Sequence, residues 1–285
     1  MKVFLISPEV APFAETGIIS QFSRNFPICM LEEKHDIRLI MPKYPFVSDR
    51  KYTLREVIRL REIPVEWNSG TKISSIKSGF IPDSKVQVYF LQENDMFSGM
   101  DEKIYKNKGS RKILDGLDIR YSFFVKSSLE SLKFLHWQPD LIQCCGWTSA
   151  LVPLMLKTIY KDDPFYKDIK VVFSPFNSKE ASPYSVESLE SAKIEVDQEL
   201  GEQLLIDKKG KFSSYHVGIK YSDSTIVFSH SKDNVLKGLK SNKNLSKVMK
   251  EKKNQIKSVK IKSSELSQYI KLSEEVLEVY QSVVS

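Results

Sequence analysis

The fold is decided by the stretch KVFLISPEVAPFAETG, residues 2–17. Its first half is a short apolar run rich in branched side chains, which predicts a buried strand over Lys2–Ser7. Two prolines then predict a loop, and apolar residues at helical spacing predict a helix over Gly17–Leu31. A second branched run at 37–41 predicts another strand, which Pro42 ends. This order predicts a parallel β-α-β unit.

The same alternation of strands and helices continues to about residue 230. The clearest helix signal is Leu117–Leu135, where apolar residues recur at helical spacing. Residues 1–230 therefore predict one α/β domain with a doubly wound, mostly parallel sheet. The other predicted elements of this pattern are a strand at 141–145, a helix at 148–160, a strand at 171–173, a helix with long loops within 180–211, a helix at 212–221 and a strand at 225–228.

One stretch interrupts this alternation. Residues 57–65, 72–81 and 86–91 have the composition of strands and are separated by turn signals, which predicts an inserted antiparallel meander. Residues 93–116 are polar and contain glycine, and we expect them to form a surface loop.

The last part of the chain differs in charge. Residues 231–285 contain twelve lysines and six acidic residues, and so carry six of the seven excess positive charges. Residues 240–262 predict a mobile basic linker or a frayed helix, and Glu265–Val284 predicts an amphipathic helix. We therefore divide the chain into 1–230 and 231–285. Because few aromatic residues lie among the lysines, we expect no specific nucleic-acid site.

The composition, 41% hydrophobic and 28% charged, is typical of a globular protein. No apolar run is long enough for a membrane span or a signal peptide, so we expect a cytoplasmic protein that binds no membrane. Cys29, Cys144 and Cys145 lack the spacing of metal ligands, and we interpret them as small buried residues. We expect no metal site and no cofactor.

Five motifs within residues 1–230 carry a family resemblance. The stretch 2–17 resembles a strand followed by S-S-E-V-A-P-F-A-K-T-G-G-L, and HDIRLIMPKY at 35–44 resembles the next strand and its exit. WQPDLIQCCGWTSALVP at 137–153 resembles W-x-P-D-I-I-H-C-H-D-W-H-T-A-L-x-P. VVFSPFN at 171–177 resembles V-F-T-I-H-N, and GIKYSDSTIVFS at 218–229 resembles G-I-x-Y-A-D-x-V-T-T-V-S. These are motifs of the bacterial glycogen and starch synthases.

The resemblance implies one half of a GT-B architecture, in which two Rossmann-like domains face each other across a cleft. Such enzymes move glucose from ADP- or UDP-glucose to an α-1,4-glucan. The 56 residues after Ser229 are fewer than a second domain requires, so the resemblance implies the N-terminal catalytic domain only. GT-B enzymes also send a final helix back over the first domain, which is the place we expect for residues 265–284.

The donor loop departs from the family pattern. The resemblance places a lysine and a second glycine where this chain has Glu15 and Ile18, and it keeps Thr16 and Gly17. A lysine and open backbone amides at a helix N-terminus favour an anionic donor, whereas a carboxylate repels it. We interpret Gly17 as needed for a tight turn, with close approach of a ligand as the alternative.

The rest of the implied cleft is also altered. Trp147 is kept, but Thr148 stands in place of the family histidine; Asn177 is kept, and Arg120 and Tyr121 are what remains of D-N-x-x-R-F. Trp147 either packs in the core or stacks on a sugar. Arg120 either contacts an anion or lies on a solvated or ion-paired helix face. We can assign no catalytic residue among the donor-loop residues or among these cleft residues.

Three functions stay open at this point. A non-catalytic module could bind an α-glucan, a sugar nucleotide or a partner protein, with Trp67, Tyr89, Phe97 and Tyr105 as candidate stacking residues. An active glucosyltransferase would use ADP- or UDP-glucose and would need a partner chain to supply the second domain. A structural or interaction protein is the third.

Overall fold

A computed structural model describes residues 1–93, 95–106 and 112–285 of the 285-residue chain. The strands are β1 (Lys2–Ile6), β2 (Asp36–Pro42), β3 (Arg55–Glu56), β4 (Ile63–Trp67), β5 (Gly70–Phe80), β6 (Gln87–Gln92), β7 (Leu141–Cys145), β8 (Lys170–Ser174), β9 (Tyr184–Ser185), β10 (Lys211–Phe212), β11 (Ser224–His230) and β12 (Ile256–Ile261). The helices are α1 (Ile18–Glu32), α2 (Leu117–Leu135), α3 (Val152–Lys157), α4 (Val186–Ser191), α5 (Gln198–Leu204), α6 (Ser214–Tyr221), α7 (Val235–Ser241), α8 (Lys243–Glu251) and α9 (Leu266–Val284).

The main sheet has the order β12-β11-β8-β7-β1-β2-β6-β5-β3, and β4 pairs with β5. Pairing is parallel from β12 to β6 and antiparallel in β3, β4 and β5. The chain therefore has the predicted mostly parallel α/β fold with an antiparallel insertion. The parallel strands from β11 to β6 are mostly buried, since helices cover both faces of the sheet, whereas the edge strand β12 is largely exposed.

The strand order reverses at β1. The chain moves from β1 to β2 in one direction and later places β7 on the other side of β1. Right-handed crossovers in opposite directions put α1 and α3 on opposite faces of the sheet. Helix α9 packs against α1 on one face, while α6 contacts α3 and α8 on the other. In sheets of this type, ligands bind beside the carboxyl ends of the strands at the reversal, here between the loops after β1 and β7.

The meander differs in detail from the expectation. The predicted strand at 57–65 is wrong: the chain forms β3, then a 3-10 turn at Ile58–Leu60, then β4. Strand β5 is eleven residues long and pairs with both short strands at different positions, which places the break between them. Alternation of side chains along the sequence cannot reveal such a break.

The predicted surface loop at 93–116 is confirmed for most of its described part, which is exposed and forms no helix or strand, but four of its apolar side chains are not on the surface. Met96, Phe97, Met100 and Ile104 are buried in the core. Phe97 packs edge-on against Phe124 of α2, so the segment is held by apolar contacts. Asn94 and residues 107–111 of the same stretch lie outside the described residues.

Two other predicted helices are shorter than expected. Instead of one helix at 148–160, the chain forms a 3-10 turn at Trp147–Ser149 and then α3, whose first turn contains Pro153. The stretch 180–211 contains α4 and α5, and the two-stranded ribbon of β9 and β10 closes it.

The stretch 240–262, predicted as a mobile linker or a frayed helix, contains the helix α8 and the parallel edge strand β12. The strand was not predicted, and it forms where buried Val259 and Ile261 alternate with exposed lysines. The predicted C-terminal helix is present as α9. Its Tyr280 hydroxyl donates to Gln143 Oε1 of β7 at 2.7 Å, and its apolar face covers Phe26 of α1. Among the described residues, none of the helices combines the length and the apolar character that crossing a membrane requires.

Candidate functional site: the crevice between the β1 and β7 loops

The loop after β1 is held by a buried carboxylate. Glu9 accepts hydrogen bonds from the Thr16 backbone nitrogen at 2.6 Å and the Thr16 hydroxyl at 2.7 Å. Burial raises the pKa of the Glu9 carboxyl, and the Thr16 hydrogen bonds oppose that rise. Thr16 is therefore a positioning residue of the loop, with its hydroxyl committed to Glu9.

The predicted donor-loop residues lie together at the start of α1. Glu15, Thr16 and Gly17 are exposed, and Ile18 is half-buried against the core. No side chain caps the first turn of α1, and Glu15 Oε1 accepts a hydrogen bond from Gln21 Nε2. The positive end of a helix therefore faces solvent here beside an exposed carboxylate.

The tight-turn explanation of Gly17 is wrong. Its φ of −176° is extended backbone that any residue adopts, and an added Cβ would meet no atom within 4 Å. Gly146, after β7, is different: it has φ 73° and ψ −178°, and an added Cβ would lie 2.8 Å from Ile19 Cδ1. Glycine is therefore required at 146, where the family motif has an aspartate.

Trp147 is a packing residue. Its side chain is 3% exposed, and its ring lies 5.4 Å from that of Tyr121, 5.7 Å from Tyr105 and 6.0 Å from Tyr184. These rings and Tyr44 form what we call the aromatic cluster (Tyr44, Tyr105, Tyr121, Trp147 and Tyr184). A buried ring with neighbours on several sides offers no face to a sugar.

The aromatic cluster joins the loops around the crevice. The Tyr44 hydroxyl donates to the Pro8 carbonyl at 2.7 Å and lies 2.9 Å from the Tyr121 hydroxyl. The Tyr184 hydroxyl donates to the Thr148 carbonyl at 3.0 Å. Burial raises the pKa of these phenols, which keeps them protonated. The cluster therefore fills the space behind the loops and offers no general base.

The other predicted cleft residues do not come together at one place where a ligand could contact all of them. Thr148 is fully buried, whereas Asn177 is exposed after β8. Arg120 Nη1 donates to the Met96 carbonyl, so it ties the 95–106 segment to α2. The proposed stacking residues Trp67, Tyr89 and Phe97 are also buried. Across the described residues we find no group of His, Cys, Asp and Glu arranged to hold a metal ion.

Sequence reasoning missed Glu9, Tyr44 and Tyr184, and it did not connect Tyr105, Tyr121 and Trp147 into one cluster. The tyrosines come from four separated segments of the chain, and no spacing connects them before the fold is known. Glu180, also missed, accepts hydrogen bonds from the backbone nitrogens of Ser214 and Tyr215 at the start of α6. Its only local signal in the sequence was an acidic residue three positions after Asn177.

The three cysteines are buried thiols without disulfides, Cys144 and Cys145 at the end of β7 and Cys29 in the last part of α1. Burial raises the pKa of Cys144 and Cys145 far above the ordinary value and that of Cys29 to about 11. None of the three is therefore a thiolate nucleophile near neutral pH.

Comparison with known proteins identifies the family of this chain. The sequence profile of the starch synthase catalytic domain matches residues 2–269. The chain belongs to that family.

Relatives of known function and a solved structure agree with the assignment. The glycogen synthase of Chlorobium luteolum is 37% identical over 179 residues, which are 62% of this chain and 36% of that protein. The glycogen synthase of Chlorobaculum parvum is 33% identical over 236 residues, 81% of this chain and 46% of that protein. The catalytic domain of Arabidopsis thaliana starch synthase IV, bound to ADP and acarbose, superposes with a TM-score of 0.70 at 15% identity, covering 90% of this chain and 50% of that one.

The chain thus spans between about a third and a half of the length of these relatives. The superposition shows that the fold is shared with a GT-B catalytic domain. The crevice of this chain combines the exposed Glu15, the packed Trp147 and the obligatory Gly146.

Proposed function

We propose that this chain is a non-catalytic member of the starch synthase catalytic domain family, which binds an α-glucan as a regulatory module. The observation that carries the proposal is the exposed carboxylate of Glu15 at the uncapped start of α1. The family resemblance implies a lysine there, beside the phosphates of a sugar nucleotide. A carboxylate reverses the sign of that interaction.

Three further features support the loss of transfer chemistry. The half-buried side chain of Ile18 stands where the family has a glycine. It leaves less room for an anionic donor to approach the backbone N–H groups at the start of α1. Thr148 is buried and directs its backbone carbonyl to Tyr184, so it does not replace the family histidine as a cleft group. The phenols of the aromatic cluster stay protonated, so none of these tyrosines supplies a base at the crevice. Glucan is the favoured ligand, because a neutral polyol is not repelled by Glu15.

An active glucosyltransferase is the second candidate, favoured by Asn177, which the family motif retains and which is exposed beside the crevice. It would transfer glucose from ADP- or UDP-glucose, with a partner chain supplying further donor contacts.

A purely structural role, the third candidate, requires neither a glucan nor a sugar nucleotide. The cytoplasmic location stays a prediction, which cell fractionation would test.

The proposal is tested by two assays on the purified chain. Glucose incorporation into glycogen from labelled ADP-glucose and UDP-glucose should stay at the level of a no-protein blank, while the chain co-sediments with glycogen. Incorporation above the blank would support the enzyme. Absence of both incorporation and co-sedimentation would leave the structural role.

A further inference from the structure

Strand β12 ends the sheet with one free edge. Its other edge pairs with β11 along its whole length, from Thr225–Ile256 to His230–Ile261. None of the described strands lies on the outer side of β12. Such an edge presents unpaired backbone N–H and C=O groups, to which an extended polypeptide can add as a further strand.

A groove runs beside this edge on each face of the sheet. The first groove, of about 580 Å³, lies between β12 and helices α7 and α8, and its apolar floor includes Leu236, Met249 and Ile256. The second groove is smaller, about 80 Å³, and lies between β12 and α9 on the face where α9 packs against α1. Side chains of an added strand alternate between the two faces, so they would enter both grooves in turn.

Lysines line both grooves. Lys240, Lys250 and Lys253 border the first, where no lining side chain is a carboxylate. The second is bordered by Lys260, Lys262 and Lys271, with Glu275 as its lining carboxylate. None of these six lysines forms an ion pair with another described residue. Six ammonium groups on two faces of one edge therefore lack a protein counter-charge.

We propose that β12 is a docking edge for an acidic, extended segment of a partner protein, which adds to the sheet as a strand. Carboxylates on both faces of that segment meet the lysines, and its apolar side chains fill the floor of the first groove. A second copy of this chain is a poor occupant, because two lysine-rich edges repel each other. A free phosphate compound would use the lysines but neither the strand edge nor the second face.

The test uses a fluorescein-labelled peptide with the repeat Glu-Glu-Val-Val over twelve residues, which places both residue types on both faces of a strand. Fluorescence anisotropy should show saturable binding to the full chain. The same peptide with proline at each valine keeps its charge but loses half of its N–H donors, and it should bind at least tenfold more weakly. Hydrogen exchange at residues 256–261 should slow only with the first peptide.

Charge-reversal variants separate the two grooves. Lys240→Glu with Lys250→Glu alters the first groove, and Lys260→Glu with Lys262→Glu alters the second. All four side chains are exposed, so the melting temperature should not change. Each pair should weaken peptide binding at least tenfold. A matched pair of exposed lysines away from β12, Lys85→Glu with Lys208→Glu, should change it less than twofold.

Four outcomes would overturn the proposal. These are no saturable binding, equal binding of the proline peptide, an effect of only one lysine pair, and an equal effect of the control pair. Tighter binding of inorganic polyphosphate than of the peptide would assign the lysines to a phosphate ligand and would also overturn it.

Discussion

The crevice between the β1 and β7 loops and the free edge of β12 are opposite in character. At the crevice, ring packing fills the space behind the loops, and the exposed charge at the start of α1 is the carboxylate of Glu15. At β12, the backbone edge is open, and the six lysines that border the two grooves form no ion pair with another described residue. Both regions lie on the same sheet, yet one presents an exposed carboxylate and the other presents lysines without ion pairs to the described part of the chain.

The two regions differ in whether their side chains already bind other parts of the protein. Contacts at the crevice are made within the protein, such as Glu9 to Thr16 and Tyr44 to Tyr121, and they stabilise loops. Exposed lysines at β12 contribute little to stability on their own. Substitutions of the packed residues behind the crevice loops should therefore change stability, whereas those of the lysines at β12 should change binding.

The largest effect is expected from deleting residues 263–285. Helix α9 buries Tyr269, Leu272, Val276 and Tyr280, each worth about 1.5–3 kcal/mol, and together these approach the whole stability of a typical domain. The truncated chain should aggregate or lose its cooperative unfolding transition in circular dichroism. An unchanged melting temperature would show that α9 does not cover the sheet.

Trp147→Ala should be the most damaging single substitution at the crevice. Removing a ring packed against Tyr121 and Tyr184 should cost about 3–5 kcal/mol of unfolding free energy, measured by urea denaturation. Lys253→Ala at β12 is the contrasting control and should stay within about 0.5 kcal/mol. Equal effects of the two variants would remove the distinction between a packed crevice and an open edge.

Two glycines give a matched comparison within the crevice itself. Gly146→Ala introduces a Cβ at positive φ and close to Ile19, and should cost at least about 2 kcal/mol. Gly17→Ala meets open space at extended φ and should cost less than about 1 kcal/mol. Urea midpoints of the two variants measure the contrast, and a reversed order would contradict the loop geometry.

The smallest effect concerns pH at the contact between α5 and α6. His216 is buried, and its Nε2 lies 3.1 Å from the Gln203 carbonyl, which fits a neutral ring that donates from Nε2. Burial lowers the His216 pKa, so the unfolded chain takes up the proton first as pH falls below about 6.5. Stability from this group is present above that pH and is lost below it.

The measurement is urea unfolding of the chain and of His216→Gln at pH 7.5 and pH 5.5. The unmodified chain should lose more stability on acidification than the variant, by up to about 1.4 kcal/mol per pH unit. Comparing the two proteins cancels the opposite contribution of Glu9 and Glu180, whose raised pKa values favour the folded state at lower pH. Equal pH dependence of the two would contradict a buried neutral His216.

The sequence predicted the sheet well, because its signals are local. Helix α2 and strand β7 both have the predicted bounds. Strand β12 was missed because its lysines lower the mean hydropathy, although the alternation of Val259 and Ile261 was present. Edge strands with one buried face give a weaker signal than central strands.

The crevice was only partly predictable. The loop residues 15–18 were found because they are contiguous and follow a strand directly. The aromatic cluster depends on tertiary contacts between distant segments, such as Tyr105 with Trp147, which sequence spacing does not encode. The role of Gly17 was misjudged, because only the backbone angles distinguish a required glycine from a tolerated one.

The central claim, that Glu15 and Ile18 close the crevice to a sugar nucleotide, is tested most directly by isothermal titration of ADP-glucose. The chain should bind it weakly or not at all, and Glu15→Lys with Ile18→Gly should bind at least fivefold more tightly, with the gain reduced by salt. Equal affinity of the two proteins, whether both bind or neither does, would contradict the account.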